Sequence, residues 1–472
     1  MTSYPLHADA RTKSRGLRLR RSTITKLVAI ALVGLSACSV VSAGAATKAK
    51  AKPKPVPAFA SVPSGTHVSI SLASYLPTLG TVATSTLNSW VTGFETLHPN
   101  ITVTIEPEAS TAAGAISGQL QQDAIAGKTP DLVQVPFDEM PNVVANFKGV
   151  DLTKVVGATS LGAEWGGPYP YAKAITKLGV LKGDVYGIPW VLSTPVLFIN
   201  DDLFTKAGLN PHKPPTNWAQ LSTDALAIEK ATGASGFENG CVGTAAGGTD
   251  WCLQSIIDSA GGSVMNAKQT ATTFTSPGVI TAVSQMQSLA QSGAMVNLSI
   301  AQAAQAWGAG KLAMFLNTSA LQSTLVAADA GNFTMDAAFE PGFGSSLATP
   351  TNSGSAIVML SSSKFNREAD WMLEQYLTSA ATETSITENI GYVPLRTSIT
   401  TAPQYLADWA SNQQFVQPNI DQLNRVQPWL AYPGPNFATI MTDLQNAVTS
   451  AVFQNANVQS TMSGLQSTTA GL

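Results

Sequence analysis

Beyond residue 54 the chain has three histidines, His67, His98 and His212. Each falls at an apparent strand edge, helix end or Pro-rich turn, away from any nucleophile signature, so neither a Ser-His-Asp triad nor a zinc set is indicated. Ser361-Ser362-Ser363-Lys364 meets S-x-x-K spacing, but its companion S-D-N and K-T-G elements are absent, and the stretch reads as a loop before a helix. No Walker-type loop or dinucleotide fingerprint occurs, and no cofactor is expected. A glycosidase needs only two carboxylates, and Asp138-Glu139 offers a pair. Neighbours at a strand end point in opposite directions, however, which makes them poor partners. The remaining chemistry is recognition: aromatic rings for the C–H faces of a polyol and a few polar groups for its hydroxyls. Trp165, Trp190, Trp251, Trp307, Tyr392 and Trp429 lie near expected turns or element ends.

The elements that must hold these groups read as an open α/β protein. His67 to Ala73 alternates like a strand, and Leu87, Trp90, Val91, Phe94 and Leu97 repeat at helical spacing over 83–97. A strand over 101–105, a helix over 112–126 and a strand over 130–135 continue the pattern. The stretch 186–200 is strand-rich and broken by two prolines; helices are expected around 201–207, 217–232, 251–260, 277–293, 299–307 and 368–379. No repeat of 20 to 50 residues stands out. With 472 residues, 44% hydrophobic, two or three domains with a substantial core are expected.

Residues 1–54 hold eleven of the 26 Lys and Arg and one of the 29 acids, leaving the rest of the chain near −13. Such a body has no means of neutralising several phosphates, which argues against nucleic-acid binding. Arg15, Arg18, Arg20, Arg21 and Lys26 precede the short apolar run Leu27–Leu35, the layout of a secretion signal too short to span a membrane. Arg20-Arg21 is a faint twin-arginine feature. Leu35-Ser36-Ala37-Cys38 resembles a bacterial lipobox, which would make Cys38 the lipidated N-terminus; the alternative is cleavage near Ser42–Ala46. The Lys/Ala/Pro-rich stretch 46–65 reads as an extended tether. Cys241 and Cys252, with ten residues between them in a Gly-rich stretch, are expected to form a disulfide rather than a metal site.

Gly187 to Leu209 (GIPWVLSTPVLFINDDLFTKAGL), followed by Pro214-Pro215-Thr216-Asn217-Trp218, carries a specific resemblance. So do Phe94–Asn100, Gly127–Val135, Trp307–Phe315 and Asn389–Arg396, in that order. Together they resemble the family 1 extracellular solute-binding proteins of ABC importers, in the branch that binds glycerol 3-phosphate and related glycerophosphodiesters, and more distantly maltose-binding proteins. The resemblance implies a two-lobed periplasmic-binding-protein-like α/β fold with a ligand cleft between the lobes. The expected division is a signal peptide over 1–37, a tether over 38–65, a first lobe over 66–190 and 352–382, and a second over 191–351 and 383–472. It further implies a lipid-anchored monomer on the outer face of the cytoplasmic membrane, which hands a carbohydrate, polyol or glycerol-phosphate-derived solute to permease subunits. An exported glycoside-active enzyme and a scaffold with an unused cleft are the alternatives.

Residue by residue, the resemblance carries ligand contact to Ser193, Trp251, Ser319, Gly354 and Tyr392; Trp190 and Asp138 join them from their expected places at strand ends. The sequence departs where the glycerol 3-phosphate branch uses a C-terminal Arg: Pro435–Thr439 has none, and no Arg follows Arg425. A buried phosphate would lose its charge-assisted hydrogen bonds. A neutral sugar or polyol is therefore the favoured ligand.

Overall fold

A computed structural model describes residues 59–108, 114–412 and 416–470. The expected signal segment, Cys38 and nearly all of the tether lie outside the described residues. Twelve strands are described: β1 Val68–Ser74, β2 Ile101–Pro107, β3 Leu132–Pro136, β4 Val180–Leu181, β5 Asp184–Val185, β6 Gly187–Ser193, β7 Pro195–Asn200, β8 Ser235–Asn239, β9 Met295–Val296, β10 Leu312–Thr318, β11 Met335–Phe339 and β12 Ser353–Met359.

They make two five-stranded sheets and a small β4–β5 hairpin. The first sheet has the order β2-β1-β3-β12-β6, with β1 parallel to β2 and β3, and β12 antiparallel to β3 and β6. The second has the order β11-β7-β10-β8-β9, with β7 antiparallel to β10 and β11 and the rest parallel. Parallel neighbours need helical crossovers, and the alternation of helix and strand supplies them. Trp90, Phe94, Leu132, Ile188 and Trp371 share one apolar core with the first sheet, and Trp218, Phe237, Ile256, Met314 and Leu444 share another with the second.

The stretch read as one strand-rich run divides between the two sheets. β6 ends at Ser193 in the first, Thr194 is wholly buried, and β7 starts at Pro195 in the second. A residue before proline is held extended, so the chain passes straight from one sheet to the other. Pro189 is accommodated because β6 is an edge strand, with the register against β12 shifting at Ser355/Ala356. The expected boundaries at 190/191 and 382/383 fall inside β6 and inside helix Ala380–Asn389, whose Ile386 belongs to the first core.

Thr194 is also the point where a later segment returns. Its Oγ1 donates to Asn419 Oδ1 at 3.1 Å and accepts from Gln422 Nε2 at 2.9 Å, while the Val393 N–H donates to the Leu192 carbonyl at 2.8 Å. Helices Phe437–Phe453 and Val458–Thr469 then pack on the second core. No described helix is long and apolar enough to cross a membrane.

Candidate functional site

Strand β3 delivers its carboxylates at the end of the first sheet. After Pro136 the chain turns through Phe137, Asp138 and Glu139 into helix Met140–Asn146, whose first turn carries Pro141. Asp138 is 3% exposed, and neither of its carboxylate oxygens meets a hydrogen-bond partner. Burial, then the nearby Glu139 and Asp250, push its carboxyl well above the usual range; the Asp138 and Glu139 N–H dipoles, which lie close by without hydrogen-bond geometry, offset this only in part. Glu139 is occupied differently: Ser117 donates to its Oε2 through the backbone N–H at 2.8 Å and the hydroxyl at 2.6 Å. The two adjacent acids therefore have separate tasks, one structural and one unfulfilled.

The second sheet contributes the facing groups from the end of β10. Asn317 accepts from the Thr318 N–H through Oδ1 at 2.7 Å, and its Nδ2 is buried without a partner. Gly240 permits this placement, since a Cβ there would lie 2.1 Å from Asn317 Nδ2. Thr318 reaches across to the first sheet, its hydroxyl donating to Ser193 Oγ at 2.7 Å.

Between these strand ends lies a cavity of about 240 Å³ lined by Asp138, Glu139, Ser193, Gly240, Trp251, Asn317, Thr318, Gly354 and the rings of Tyr75, Tyr392 and Trp429. Tyr75 follows β1, and Tyr392 follows Gly391, which turns at a φ of 96°. Trp251 opens helix Trp251–Ser259, and Cys252 beside it is joined to Cys241 in a disulfide that closes the cavity-lining loop 242–251. Trp429 is held from three sides: its Nε1 donates to Asp250 Oδ1 at 2.8 Å, its N–H donates to Asn352 Oδ1 at 3.0 Å, and Tyr432 braces the same Asp250 at 2.6 Å. Rings fixed in this way present flat faces at little loss of rotamer freedom on binding. The described lining has two carboxylates and no Lys or Arg. Arg396 is bound by Glu164 at 2.6 Å, and Arg425 donates to the Ala348 carbonyl at 3.0 Å.

Of the residues singled out by sequence, Asp138, Ser193, Trp251, Gly354 and Tyr392 border this cavity. Gly354 does so as a backbone requirement: its φ is 114°, and a Cβ would meet the Val191 carbonyl oxygen at 2.1 Å. Ser319 lies one residue behind the lining, wholly buried, with its N–H on the Thr194 carbonyl at 3.2 Å. Trp190 is not in the cavity. It packs edge-on against Trp90 at 6.2 Å and donates to the Leu377 carbonyl at 3.1 Å, inside the first core. Tyr75, Asn317 and Trp429 are among the lining groups that the assigned set lacked. Trp429 carried a signal, an aromatic in a Pro/Gly-rich stretch, but Asn317 stood only beside the expected Ser319.

The family described as bacterial extracellular solute-binding protein matches residues 89–413. A protein of Brucella abortus (strain 2308) named as a binding protein is 26% identical over 220 residues, 46% of this chain and 52% of that protein. The chain thus spans about half the length of the curated relatives it matches most extensively. The sn-glycerol-3-phosphate-binding periplasmic protein of Yersinia enterocolitica is 41% identical over 61 residues, 13% of this chain and 14% of that one. Among solved structures, the cyclic alpha-maltosyl-1,6-maltose binding protein from Arthrobacter globiformis aligns at a TM-score of 0.71 and 18% identity, covering 86% of this chain and 98% of that one. UgpB from Mycobacterium tuberculosis in complex with glycerophosphocholine aligns at 0.71 and 16%, covering 84% and 96%. These likenesses show the two-lobed fold of such proteins.

Proposed function

The chain belongs to the bacterial extracellular solute-binding proteins, and we propose that it captures a small uncharged sugar or polyol in the cleft between its sheets and passes it unaltered to an ABC permease. Family membership places the protein outside the cytoplasm. The finer placement, on the outer face of the membrane held by a lipid on Cys38 with the Lys-rich tether as spacer, rests on the Leu35–Cys38 motif, and a monomer is the form the resemblance implies.

One observation carries the choice of ligand. The Asp138 carboxylate from the first sheet and the Asn317 amide from the second are both buried, both lack partners, and both border one cavity. A buried unpaired polar group is costly, so such a pair persists where a ligand supplies what is missing. Asp138 accepts hydroxyl protons and Asn317 donates to a hydroxyl or ring oxygen, while Trp251, Trp429, Tyr75 and Tyr392 cover C–H faces. A phosphate monoester would meet two carboxylates and no cation, an arrangement that repels it. The cavity volume of about 240 Å³ lies just under the usual range of ~300–1,000 Å³ for ligand pockets and suits a small solute. Ser193 and Gly354 complete the wall, with Ser319 buttressing it from behind. Contacts to both lobes favour the closed arrangement, which is the signal a permease reads.

A thermal-shift screen over neutral mono- and disaccharides, polyols, glycerol 3-phosphate and glycerophosphocholine tests this reading. A ligand at one hundred times its Kd adds about 2.7 kcal/mol of stability. Stabilisation by a neutral member, recovered chemically intact, is expected. A response confined to phosphate-bearing compounds, or release of cleavage products from an oligosaccharide, overturns it.

A further inference from the structure

A second constellation lies in the second sheet's edge, apart from the cleft. Asp201 follows β7 directly, and Asp336 stands on β11, paired with Ile199 two positions before Asp201. His212 arrives from the turn between helices Asp201–Lys206 and Trp218–Thr232, a segment stiffened by Pro211, Pro214 and Pro215. One donor atom from each of the three residues lies within 4.8 Å of the others. Asp201 is 7% exposed, and its Oδ1 is buried with no hydrogen-bond partner. Asp336 uses Oδ1 to accept from the Ala337 N–H at 2.7 Å and turns Oδ2 toward His212 Nδ1 at 3.9 Å. The His212 backbone is pinned by Asn210 Oδ1 at 3.0 Å, while its side chain is 71% exposed.

We propose that Asp201, His212 and Asp336 form a divalent transition-metal site of the Zn²⁺ type, which ties the 207–217 turn to the edge of the second sheet. Two carboxylates and one imidazole are a small, mixed N/O donor set. It suits a four-coordinate zinc with water in the fourth position, and it falls short of the six to eight oxygens that Ca²⁺ takes. Zinc bonds of about 2.1 Å bring donors to roughly 3.4 Å apart, so the three atoms must draw together slightly. The exposed imidazole, on a turn, supplies that movement. A cation there would also sit against the Asp201 carboxylate, whose buried Oδ1 no protein group partners. Residue spacings of 11 and 124 conceal the set from any linear motif.

Calorimetric titration of ZnCl₂ into the chelator-stripped protein tests the site, with MgCl₂ and CaCl₂ as comparisons. One saturable Zn²⁺ per chain and a rise in Tm are expected, with weaker responses to Mg²⁺ and Ca²⁺. His212→Ala, an exposed change that leaves the fold intact, and Asp336→Asn should each weaken binding by more than about tenfold and remove the Tm gain. Absence of saturable Zn²⁺ binding, or equal affinity in His212→Ala, overturns the proposal.

Discussion

Under the proposed function, Asp138 ties recognition to stability. Its carboxyl is buried with no partner, so the ligand-free protein carries a cost that a bound hydroxyl would relieve. Asp138→Asn, a near-isosteric change that swaps one acceptor oxygen for an NH₂ group, should leave the Tm of the free protein little changed at pH 7 while weakening ligand affinity by roughly 2- to 10-fold, the worth of one hydrogen bond. Calorimetry of both properties on one variant checks this; unchanged affinity would remove Asp138 from the proposed site. Trp251→Ala should abolish the ligand-induced Tm shift, with circular dichroism unchanged. Sequence reached Asp138, Ser193, Trp251, Gly354 and Tyr392 because each sits in or beside a recognisable motif or at a strand end. It placed Trp190 wrongly for a physical reason: all seven residues of β6 are buried, so alternation along the strand does not distinguish the cleft from the core. Trp429 depends on Asp250, 179 residues away, a contact that only folding creates.

Among the elements, the loop between β8 and helix Trp251–Ser259 brings the disulfide to the proposed site. It provides Ala245, Ala246, Gly247, Thr249 and Trp251 to the cavity, and the Cys241–Cys252 disulfide closes it. Removing the bridge with paired Cys→Ser changes should lower unfolding free energy by about 2–3 kcal/mol, as expected for so short a loop. It should also weaken ligand binding, because Trp251 loses its fixed approach. A denaturant titration with and without ligand measures both effects, and a bridge-free variant with unaltered affinity would confine the disulfide to stability. Amphipathic elements were legible: the helix expected over 217–232 spans Trp218–Thr232 with Asn217 capping the Gln220 N–H. Less legible was the assignment of strands to sheets, since β6 and β7 are adjacent, uniformly buried and separated by one residue.

For the whole molecule, buried acids set the response to pH. Burial pushes Glu238 and Glu340 up to about 8 and Asp258 up to about 7. Leu298 N–H, Ser255 and Thr351 hydrogen-bond to them respectively, without reversing the shift. These folded-state values exceed the unfolded ones, so their contribution to stability is fully present below about pH 4 and is lost as pH rises through 7 to 8. Tm should fall by several degrees between pH 5 and pH 8.5; a flat or rising profile contradicts this. One sheet offers an unpaired acceptor and the other an unpaired donor at one cavity, and Thr194 links the sheets, so under the proposed function a solute touching both would favour closure. The most direct test is a crystal structure with the best neutral ligand from the screen. An intact solute is expected in the cavity, with hydroxyls on Asp138 and polar contact to Asn317, so that both lobes hold it. A solute bound elsewhere, touching one lobe only, or found cleaved would contradict this.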